Sequence, residues 1–467
     1  MASKRREFTH LQLGGLAHAG PAPGGLNELQ REQAGLDVRV AQAEQTEARS
    51  TPTDQQRASS MAFLAGCFVA ALCIPLSYTI AGIRLPIYRM VLIALFVPML
   101  VKLLSDKNNK FLAADAFVIL YCAWATLALM YHHGAAAIET AGVTLVDGLA
   151  AYLLGRTLIN SKADMQLVLR FGFLLLVLLI PTVLIEALTG RNIVLQFFSG
   201  FGDAHANTNQ GIRMGLHRVQ GPFEHPILFG VFTGSLFVMA ALGKAFNSLF
   251  MTILFTITAL VCTLLSLSTG ALLLINVALI LMIWRRLFIG YAHRWKLLGG
   301  CAAAAYVLLD LVSNRTPFHV FVSYLTFNSG SSYNRINIWI HGTAEVARHP
   351  FLGIGMNDWT RPSWMSPSID NFWLVQAIRY GIPAFLLLSI AIYFTLRHVS
   401  RPTQLSPETE SLRRGMVFAL VAILFAICSV HLWNATHAWF MFVLGAMSWI
   451  GLADPNPEDQ SSGGKGS

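Results

Sequence analysis

A long polar segment, residues 314–371, interrupts a chain that is otherwise dominated by apolar runs. It contains Arg335 and ends in Asp370 and Asn371, directly before another apolar run. The guanidinium group of arginine binds phosphates and carboxylates through forked, charge-assisted hydrogen bonds. A carboxylate beside such a site can take the proton of an attacking hydroxyl group. The segment therefore predicts anion binding coupled to general-base chemistry, with Arg335 as a catalytic arginine and Asp370 as the first candidate for the base.

A second polar segment, residues 189–224, has a similar character. Its arginines, which we expect to bind the same anion, are Arg191, Arg213 and Arg218. The segment ends in Glu224 and His225, followed by Pro226, a residue that suits the first turn of a helix. Free N–H groups at a helix N-terminus attract anions, so Glu224 is a candidate substrate contact and His225 the second candidate for the base. The alternative is that both side chains only anchor the segment at a wet interface.

The elements that position these residues are indicated by composition. The sequence is 55% hydrophobic and 12% charged, which is about half the charge of an ordinary soluble domain. Apolar runs of about 20 residues recur along the chain, and each is long enough to cross a bilayer as a helix. The composition therefore predicts an all-α integral membrane protein embedded in the lipid bilayer.

The net charge of +9 does not indicate a nucleic-acid partner. Most lysines and arginines lie in short loops between apolar runs, as cytoplasmic loops do under the positive-inside bias. The six cysteines lie inside apolar runs and lack metal-ligand spacing, so neither a disulfide framework nor a metal site is predicted. We find no glycine-rich loop that would cradle a nucleotide phosphate, and no cofactor is expected.

We predict about twelve transmembrane helices and two long loops on the outer side of the membrane, about residues 189–224 and 314–370. The spans are roughly residues 60–80, 86–104, 112–131, 138–158, 166–188, 225–243, 248–265, 270–288, 296–313, 371–396, 413–431 and 434–452. Residues 59–452 form the membrane domain in this interpretation, between a disordered tail, 1–58, and a short tail, 453–467, both cytoplasmic. Basic residues in the outer loops oppose the topological bias. An anionic ligand explains them, and the alternative is that long loops escape the bias.

Residues 333–348 have the period of an amphipathic helix that lies at a membrane interface. Its polar face consists of Asn334, Asn337, His341, Glu345 and Arg348. Arg335 lies off this face, where a solvated charge is not expected, so we rank it above Arg348 as a ligand contact.

One arginine, Arg379, is predicted inside the membrane. It follows Asn371 by eight residues, which corresponds to about 12 Å along a helix. A lone arginine at that depth costs about 3 kcal/mol. Asp147 has a similar depth in another predicted span. We expect the two side chains to form an ion pair or to line one wet cavity.

Together these stretches resemble the O-antigen ligase and polysaccharide polymerase family of bacterial inner membranes, over about residues 60–450. The resemblance is carried by Arg218-x-x-Gly221-Pro-Phe-x-His225-Pro226, Leu267-Ser268-Thr269-Gly270, Arg335-x-x-x-Trp339, His349-Pro350-Phe-x-Gly353-x-Gly355, and Asp370-Asn371 with Gly381 ten residues later. It places Trp339, His349, Asn371 and Arg379 among the candidate substrate contacts. It also implies a metal-independent membrane glycosyltransferase that uses undecaprenyl-diphosphate-linked glycans at the periplasmic face.

Ligases of this family carry His-Asn where this chain has Asp370-Asn371. The Asp-Asn-Phe-Trp-Leu form is more similar to exopolysaccharide polymerases. We therefore expect a polymerase of lipid-linked repeat units in the inner membrane, working with a flippase and a chain-length regulator of the same pathway. The alternatives are a ligase that moves finished glycan to a lipid or protein, and a transporter of an anionic solute. A transporter would favour charged groups near the middle of the membrane, whereas most charges here lie in loops.

Overall fold

The computed structural model describes residues 52–80, 82–105, 110–208, 211–313, 329–401 and 405–452. The chain divides into two compact units, Met1–Ala58 and Ser59–Ser467, and every contact reported below lies within the second. The predicted cytoplasmic tails fall outside the described residues, apart from 52–58, and so does the part of the second long loop that covers 314–328.

Helices account for most of the described residues. In chain order they are α1 (Pro52–Leu72), α2 (Ile87–Ser105), α3 (Ala113–His133), α4 (Ile138–Thr144), α5 (Ala151–Leu158), α6 (Lys162–Thr189), α7 (Ile193–Phe198), α8 (Pro226–Gly243), α9 (Leu249–Leu265), α10 (Thr269–Leu287), α11 (Arg294–Val312), α12 (Ser329–Arg348), α13 (Phe372–Val399), α14 (Pro407–Ala426) and α15 (Asn434–Ala446). A π-helical turn, Leu145–Ala150, joins α4 to α5, and 3₁₀ turns cover Gly134–Ala137 and Ser448–Leu452.

Eight helical segments of the described chain are long and apolar enough to cross a membrane. One of them, Ala113–Leu158, is 46 residues long. Asp115 near its start forms an ion pair with Arg156 near its end at 3.1 Å, so this segment folds back on itself close to Gly134, where φ is 54°. The predicted total of about twelve spans is not confirmed, since α9 is short and α14 begins with charged residues.

The first predicted span is wrong at its C-terminal end. Helix α1 ends at Leu72, and β1 (Leu76–Ile80) follows. Pro75 cannot continue a helix, and the residues after it favour extended structure. Strand β1 pairs antiparallel with β2 (Ile83–Pro86) and with β3 (Asp203–Ala204), with Ser77 opposite Pro86 and Asp203. This small sheet fixes the first long loop against the start of α2.

A tight hairpin in the first long loop presents Arg213. Strands β4 (Ile212–Arg213) and β5 (Leu216–His217) pair antiparallel, with Arg213 opposite Leu216. The two turn residues, Met214 and Gly215, both have positive φ (51° and 81°). Such a two-residue turn matches the natural twist of paired strands, and it directs the hairpin toward the turn between α9 and α10.

Helix α13 is interrupted at Gly381, whose φ is 84°. The carbonyl groups of Ile378 and Arg379, freed by the break, accept the N–H groups of Ile354 and Gly355 at 2.9 Å each. The N–H of Ile382 donates to Pro350 O at 2.7 Å in return. The loop after α12 is therefore hydrogen-bonded to the broken turn of α13. These bonds satisfy the backbone groups that the break leaves open and hold Arg379 in a fixed position.

The backbones approach so closely here that only glycine fits. A Cβ atom at Gly381 would lie 1.9 Å from Phe351 O, and one at Gly353 would lie 2.4 Å from Ile378 O. The glycines of the His349–Gly355 stretch and the glycine ten residues after Asn371 therefore belong to one structural feature.

Candidate active site

Four helix N-termini converge at the candidate site, those of α8, α10, α13 and α15. Arg335 of α12 donates from Nη2 to Thr269 Oγ1 at the start of α10 (2.9 Å). The N–H of Phe372 at the start of α13 donates to Val430 O (3.1 Å), just before α15. The aromatic ring of Trp433, which precedes α15, lies 5.8 Å from the imidazole of His225, which precedes α8. Free N–H groups and the positive ends of the helix dipoles favour an anion at this point.

Three of the predicted arginines meet beside these helix ends. Arg213 donates from Nη1 to Leu267 O at 3.0 Å, in the turn that also presents Thr269 to Arg335. Burial, together with the charges of Arg213 and Arg335, lowers the pKa of Arg218 to about 10, while the charge of Asp370 opposes this shift. Burial also lowers the pKa of Arg335, against the charge of Asp370. Arg213, Arg218 and Arg335 are hereafter called the arginine cluster.

The arginine cluster has unused hydrogen-bonding capacity. Arg218 is 8% exposed and Arg335 is 9% exposed, yet the Nε atom of each has no hydrogen-bond partner. Within the described residues, none of the three guanidinium groups forms an ion pair with a carboxylate. The nearby hydroxyl of Ser268 is also buried without a partner. Buried donors in a native protein are normally paired, so this arrangement indicates a site for an anionic ligand.

A buried carboxylate in α6 holds the backbone that carries Arg218. Glu186 accepts the N–H of Gln220 (2.9 Å) and the N–H of Gly221 (3.1 Å). Asn192 donates from Nδ2 to Gly221 O at 2.7 Å. These contacts anchor both sides of the turn after Arg218, and they explain why a polar loop can hold a buried arginine in one place.

Asp370 lies at the wall of a cavity of about 240 Å³. The cavity is also lined by His225, Pro367, Ser368, Ile369, Val375, Arg379, His431 and Trp433. Ser368 Oγ donates to Asp370 Oδ1 at 3.1 Å. Since Asp370 acts electrostatically on Arg218 and Arg335 and also borders the cavity, it stands between the cations and an open space. A ligand hydroxyl in the cavity can therefore reach a carboxylate beside a bound anion.

The geometry of His225 favours a donor over a base. Its Nδ1 atom accepts the N–H of Ile227 at 3.1 Å and so caps α8. Burial, and then the charges of Arg218 and Arg213, lowers the pKa of His225 to about 4. A neutral imidazole whose Nδ1 accepts a hydrogen bond must carry its proton on Nε2. His225 therefore presents an N–H group, which disfavours the predicted role of alternative base.

A second cavity of about 200 Å³ continues from the first. The two share Val375, Arg379, His431 and Trp433. His431 stacks on Trp433 with ring centroids 5.8 Å apart, and its buried Nδ1 atom has no partner. Sequence reasoning missed His431 and Trp433. The sequence nevertheless carried a signal for them. His431, Trp433 and Asn434 lie between two apolar runs and at or just before the start of a helix, as several of the other motifs do.

The structure gives Glu224 a positioning role. It accepts Trp433 Nε1–H at 2.7 Å and the Asn434 amide at 2.7 and 2.8 Å, and it lies 3.5 Å from His205. The carboxylate thus fixes the start of α15 against the start of α8. Its predicted role as a substrate contact has no support in these contacts.

The predicted ion pair between Asp147 and Arg379 is wrong. Arg89 of α2 occupies the Asp147 carboxylate, at 2.7 Å to Oδ2 and 2.9 Å to Oδ1, and Tyr88 donates to it as well. The forked arginine neutralises the buried carboxylate, and Asp147 forms no ion pair with Arg379 in the described part of the chain. The alternative form of the prediction holds, because Asp147 and Arg379 both line the second cavity.

The remaining candidates lie at the margins of the site or outside it. Asn371 Oδ1 caps α13 by accepting the N–H of Leu374 at 3.0 Å. Arg191 is exposed at the end of α6, and no contact links its side chain to the arginine cluster within the described residues. Trp339 is 39% exposed, and His349 faces Glu345 at 3.6 Å with half of its side chain in solvent. Neither borders the two cavities described above.

These features define a multi-pass helical membrane protein with a candidate anion-binding site at converging helix ends. The family model described as O-antigen ligase matches residues 254–389 of this chain. This match confirms the resemblance to that family, and it covers Thr269, Arg335, Asp370, Arg379 and the break at Gly381. Arg213, Arg218, His225 and His431 lie outside the matched residues. No curated protein matches the chain.

Proposed function

We propose that this protein joins undecaprenyl-diphosphate-linked oligosaccharide repeat units into longer polysaccharide at the periplasmic face of the bacterial inner membrane. The observation that carries the proposal is the arginine cluster, whose buried donors are unpaired next to Asp370 and a cavity. A diphosphate supplies the negative charge that these donors lack, and an adjacent carboxylate suits the deprotonation of a sugar hydroxyl. The match to the O-antigen ligase family supports a glycan-transfer reaction of this kind.

The reaction would proceed as a displacement at the anomeric carbon of the donor glycan. The acceptor hydroxyl oxygen forms a bond to that carbon while the bond to the diphosphate oxygen breaks. Asp370 takes the hydroxyl proton, and the diphosphate leaves with the bonding electrons on its carrier lipid. Arg213, Arg218 and Arg335 stabilise the charge that develops on the leaving oxygen, each charge-assisted hydrogen bond contributing about 1.5–3 kcal/mol.

His225 would act in the same step as a hydrogen-bond donor. Its Nε2–H group is left to donate because Nδ1 accepts the N–H of Ile227, and His225 lines the first cavity. We assign it to a ligand oxygen, either of the acceptor sugar or of the departing diphosphate.

A ligase is the second candidate, because the matching family is described by that activity. It would use the same donor and the same base but a lipid or protein acceptor. The two functions leave different products when the gene is inactivated. Loss of a polymerase leaves single repeat units on the carrier lipid, whereas loss of a ligase leaves long chains on it.

Substitution of Asp370 by Asn tests the proposed base directly. The amide keeps the shape and the contact with Ser368 but cannot take a proton, so elongation of lipid-linked repeat units by purified protein should fall by about 10²–10⁴-fold. The matched control is Asp358→Asn, on the same loop, where the carboxylate is exposed and bonds to Arg361. Unchanged elongation by Asp370→Asn would reject the assignment. Solute uptake by vesicles, without elongation by the wild type, would favour a transporter.

A further inference from the structure

Arg379 is a cation without a counter-ion in the interior of the two cavities. It borders both of them and lies in α13, a helix long and apolar enough to cross the membrane. Within the described residues, no carboxylate stands within ion-pair distance of its guanidinium group. Ionisable groups inside a membrane are costly to maintain and mark functional sites. The unpaired positive charge of Arg379 therefore indicates a binding site for an anionic ligand.

Neither acid that shares a cavity with Arg379 forms an ion pair with it in the described part of the chain. Asp147 is held by two nitrogen atoms of the Arg89 fork. Asp370 borders the first cavity, and its charge is shared with Arg218 and Arg335. The imidazoles of His225 and His431 add no positive charge near neutral pH, because burial lowers their pKa values to about 4 and about 3. Arg379 is thus the cation that sets the charge preference of this space.

The rest of the lining suits a sugar. Trp433 and His431 form a stacked aromatic wall, and the amide of Gln376 borders the second cavity, where its Oε1 also accepts from Tyr121. Sites for small polar molecules combine apolar and aromatic walls with a few placed polar groups, in volumes from about 300 Å³ upward. The two cavities adjoin at four shared residues, and their volumes of about 240 and 200 Å³ are together of that order.

The position of Asp370 separates this space from the diphosphate site. The arginine cluster contributes no residue to the lining of either cavity, whereas Asp370 and His225 line the first cavity and also interact electrostatically with the arginine cluster. In the proposed reaction the base touches the acceptor hydroxyl, so the space on the far side of the base belongs to the acceptor.

We propose that the cavities around Arg379 bind the acceptor sugar, and that this sugar carries an anionic substituent, a carboxylate or a phosphate. That the bound sugar is the acceptor rests on the proposed function. That these cavities bind an anionic sugar does not. Forked hydrogen bonds from Arg379 would hold the substituent while the hydroxyl to be glycosylated lies at Asp370. Arg379 is accordingly a specificity-determining residue.

Equilibrium binding to the full-length protein in detergent tests this site without turnover. The probes are methyl β-D-glucuronide, methyl glucoside 6-phosphate and the neutral methyl β-D-glucoside. We expect at least one charged probe to bind about tenfold or more tightly than the neutral one, which corresponds to about 1.4 kcal/mol. Arg379→Gln should abolish this preference, and Arg379→Lys should restore part of it. Which charged probe binds identifies the substituent.

Equal binding of charged and neutral probes, no binding of any probe, or an unchanged preference in Arg379→Gln would overturn the inference. A diphosphate probe, farnesyl diphosphate, separates this outcome from failure of the proposed function. Its binding should depend on Arg335 and not on Arg379. If the wild type fails to bind the diphosphate but prefers a charged sugar, the proposed function fails and the Arg379 site stands. If diphosphate binding depends on Arg379, that residue belongs to the donor site and the inference is overturned.

Discussion

Two arginines on one helix illustrate how burial separates a binding residue from a solvated one. Arg335 is 9% exposed, donates to Thr269 and keeps an unpaired Nε. Arg348, at the other end of α12, has a half-exposed side chain that bonds to Glu345. A ligand phosphate gains little binding free energy from an exposed cation that already forms an ion pair. A buried guanidinium without an ion pair can bind the phosphate without first losing a carboxylate partner.

Replacing Arg335 by Gln should therefore weaken binding of a lipid diphosphate by about 10- to 100-fold, the equivalent of one charge-assisted hydrogen bond of about 1.5–3 kcal/mol. The same change at Arg348 should leave affinity within a factor of about two, as for an exposed pair. Titration of detergent-solubilised variants with farnesyl diphosphate measures both. Equal losses at the two positions would mean that the arginine cluster does not form the anion site.

The lowered pKa of His225 should also make the free energy of unfolding depend on pH. Its pKa in the folded protein is about 4, against about 6.5 for an unperturbed histidine. Between these values the unfolded chain binds a proton that the folded site does not. The free energy of unfolding therefore falls as the pH drops from about 6.5 to about 4.

The variant His225→Asn removes this titration but keeps a residue that caps helices well. Its unfolding temperature in detergent should decline less steeply across the same pH window than that of the wild type. If the unfolding temperatures of the two proteins fell in parallel with pH, folding would not lower the pKa of His225.

At the scale of elements, the site depends on where helices begin and on one place where a helix breaks. Each of the motifs in α8, α10 and α13 occupies an N-terminus, so that loop side chains and free N–H groups face the same space. The buried side of helix α12 coincides only in part with its predicted polar face. The buried residues are Ser332, Arg335, Asn337, Ile338, Gly342 and Glu345, while Arg348 of the predicted polar face is exposed, as are Tyr333, Trp339 and Ile340. Outward apolar side chains are what an interfacial helix requires.

The break in α13 gives a direct test of this arrangement. A methyl group at Gly381 would overlap Phe351 O and would force a positive φ on a residue with a side chain. Gly381→Ala should therefore separate the loop 349–356 from α13 and displace Arg379. We expect a lower unfolding temperature and loss of activity. The control is Gly142→Ala, where a Cβ atom meets nothing within 4 Å and the better helix propensity of Ala stabilises by up to about 1 kcal/mol. Similar behaviour of the two variants would contradict the role given to the break.

For the whole molecule, the converging helix ends place the site at one surface of the membrane domain. Helix α14, with 20 residues, extends over about 30 Å between Glu408 at its start and the turn before α15 that contributes His431. Glu408, in a predicted cytoplasmic loop, therefore lies about one bilayer thickness along this helix from the turn that contributes His431.

Thiol labelling of intact cells can determine the side. Met214, beside Arg213, is 81% exposed, and the Glu408 side chain is 55% exposed. In a background with exposed Cys301 replaced by Ala, Met214→Cys should react with a membrane-impermeant maleimide in cells whose inner membrane is sealed. Glu408→Cys should react only after that membrane is permeabilised. The reverse pattern would put the site in the cytoplasm, where an undecaprenyl-diphosphate polymerase of the proposed kind could not act.

The sequence by itself determined the membrane class, the family resemblance and most of the helix positions, because hydropathy and short motifs depend on residues close together in the chain. It also singled out Arg218, Arg335, Asp370 and Arg379. Only the tertiary structure decided which of them meet. The pairing of Asp147 with Arg89 and the place of His431 beside Arg379 depend on packing between helices far apart in sequence. The contact that fixes the proton of His225 is local, with Ile227, but the burial that keeps the imidazole neutral comes from the tertiary structure. Rotation of a helix about its axis by one residue would exchange these partners, and no local pattern in the chain specifies that rotation.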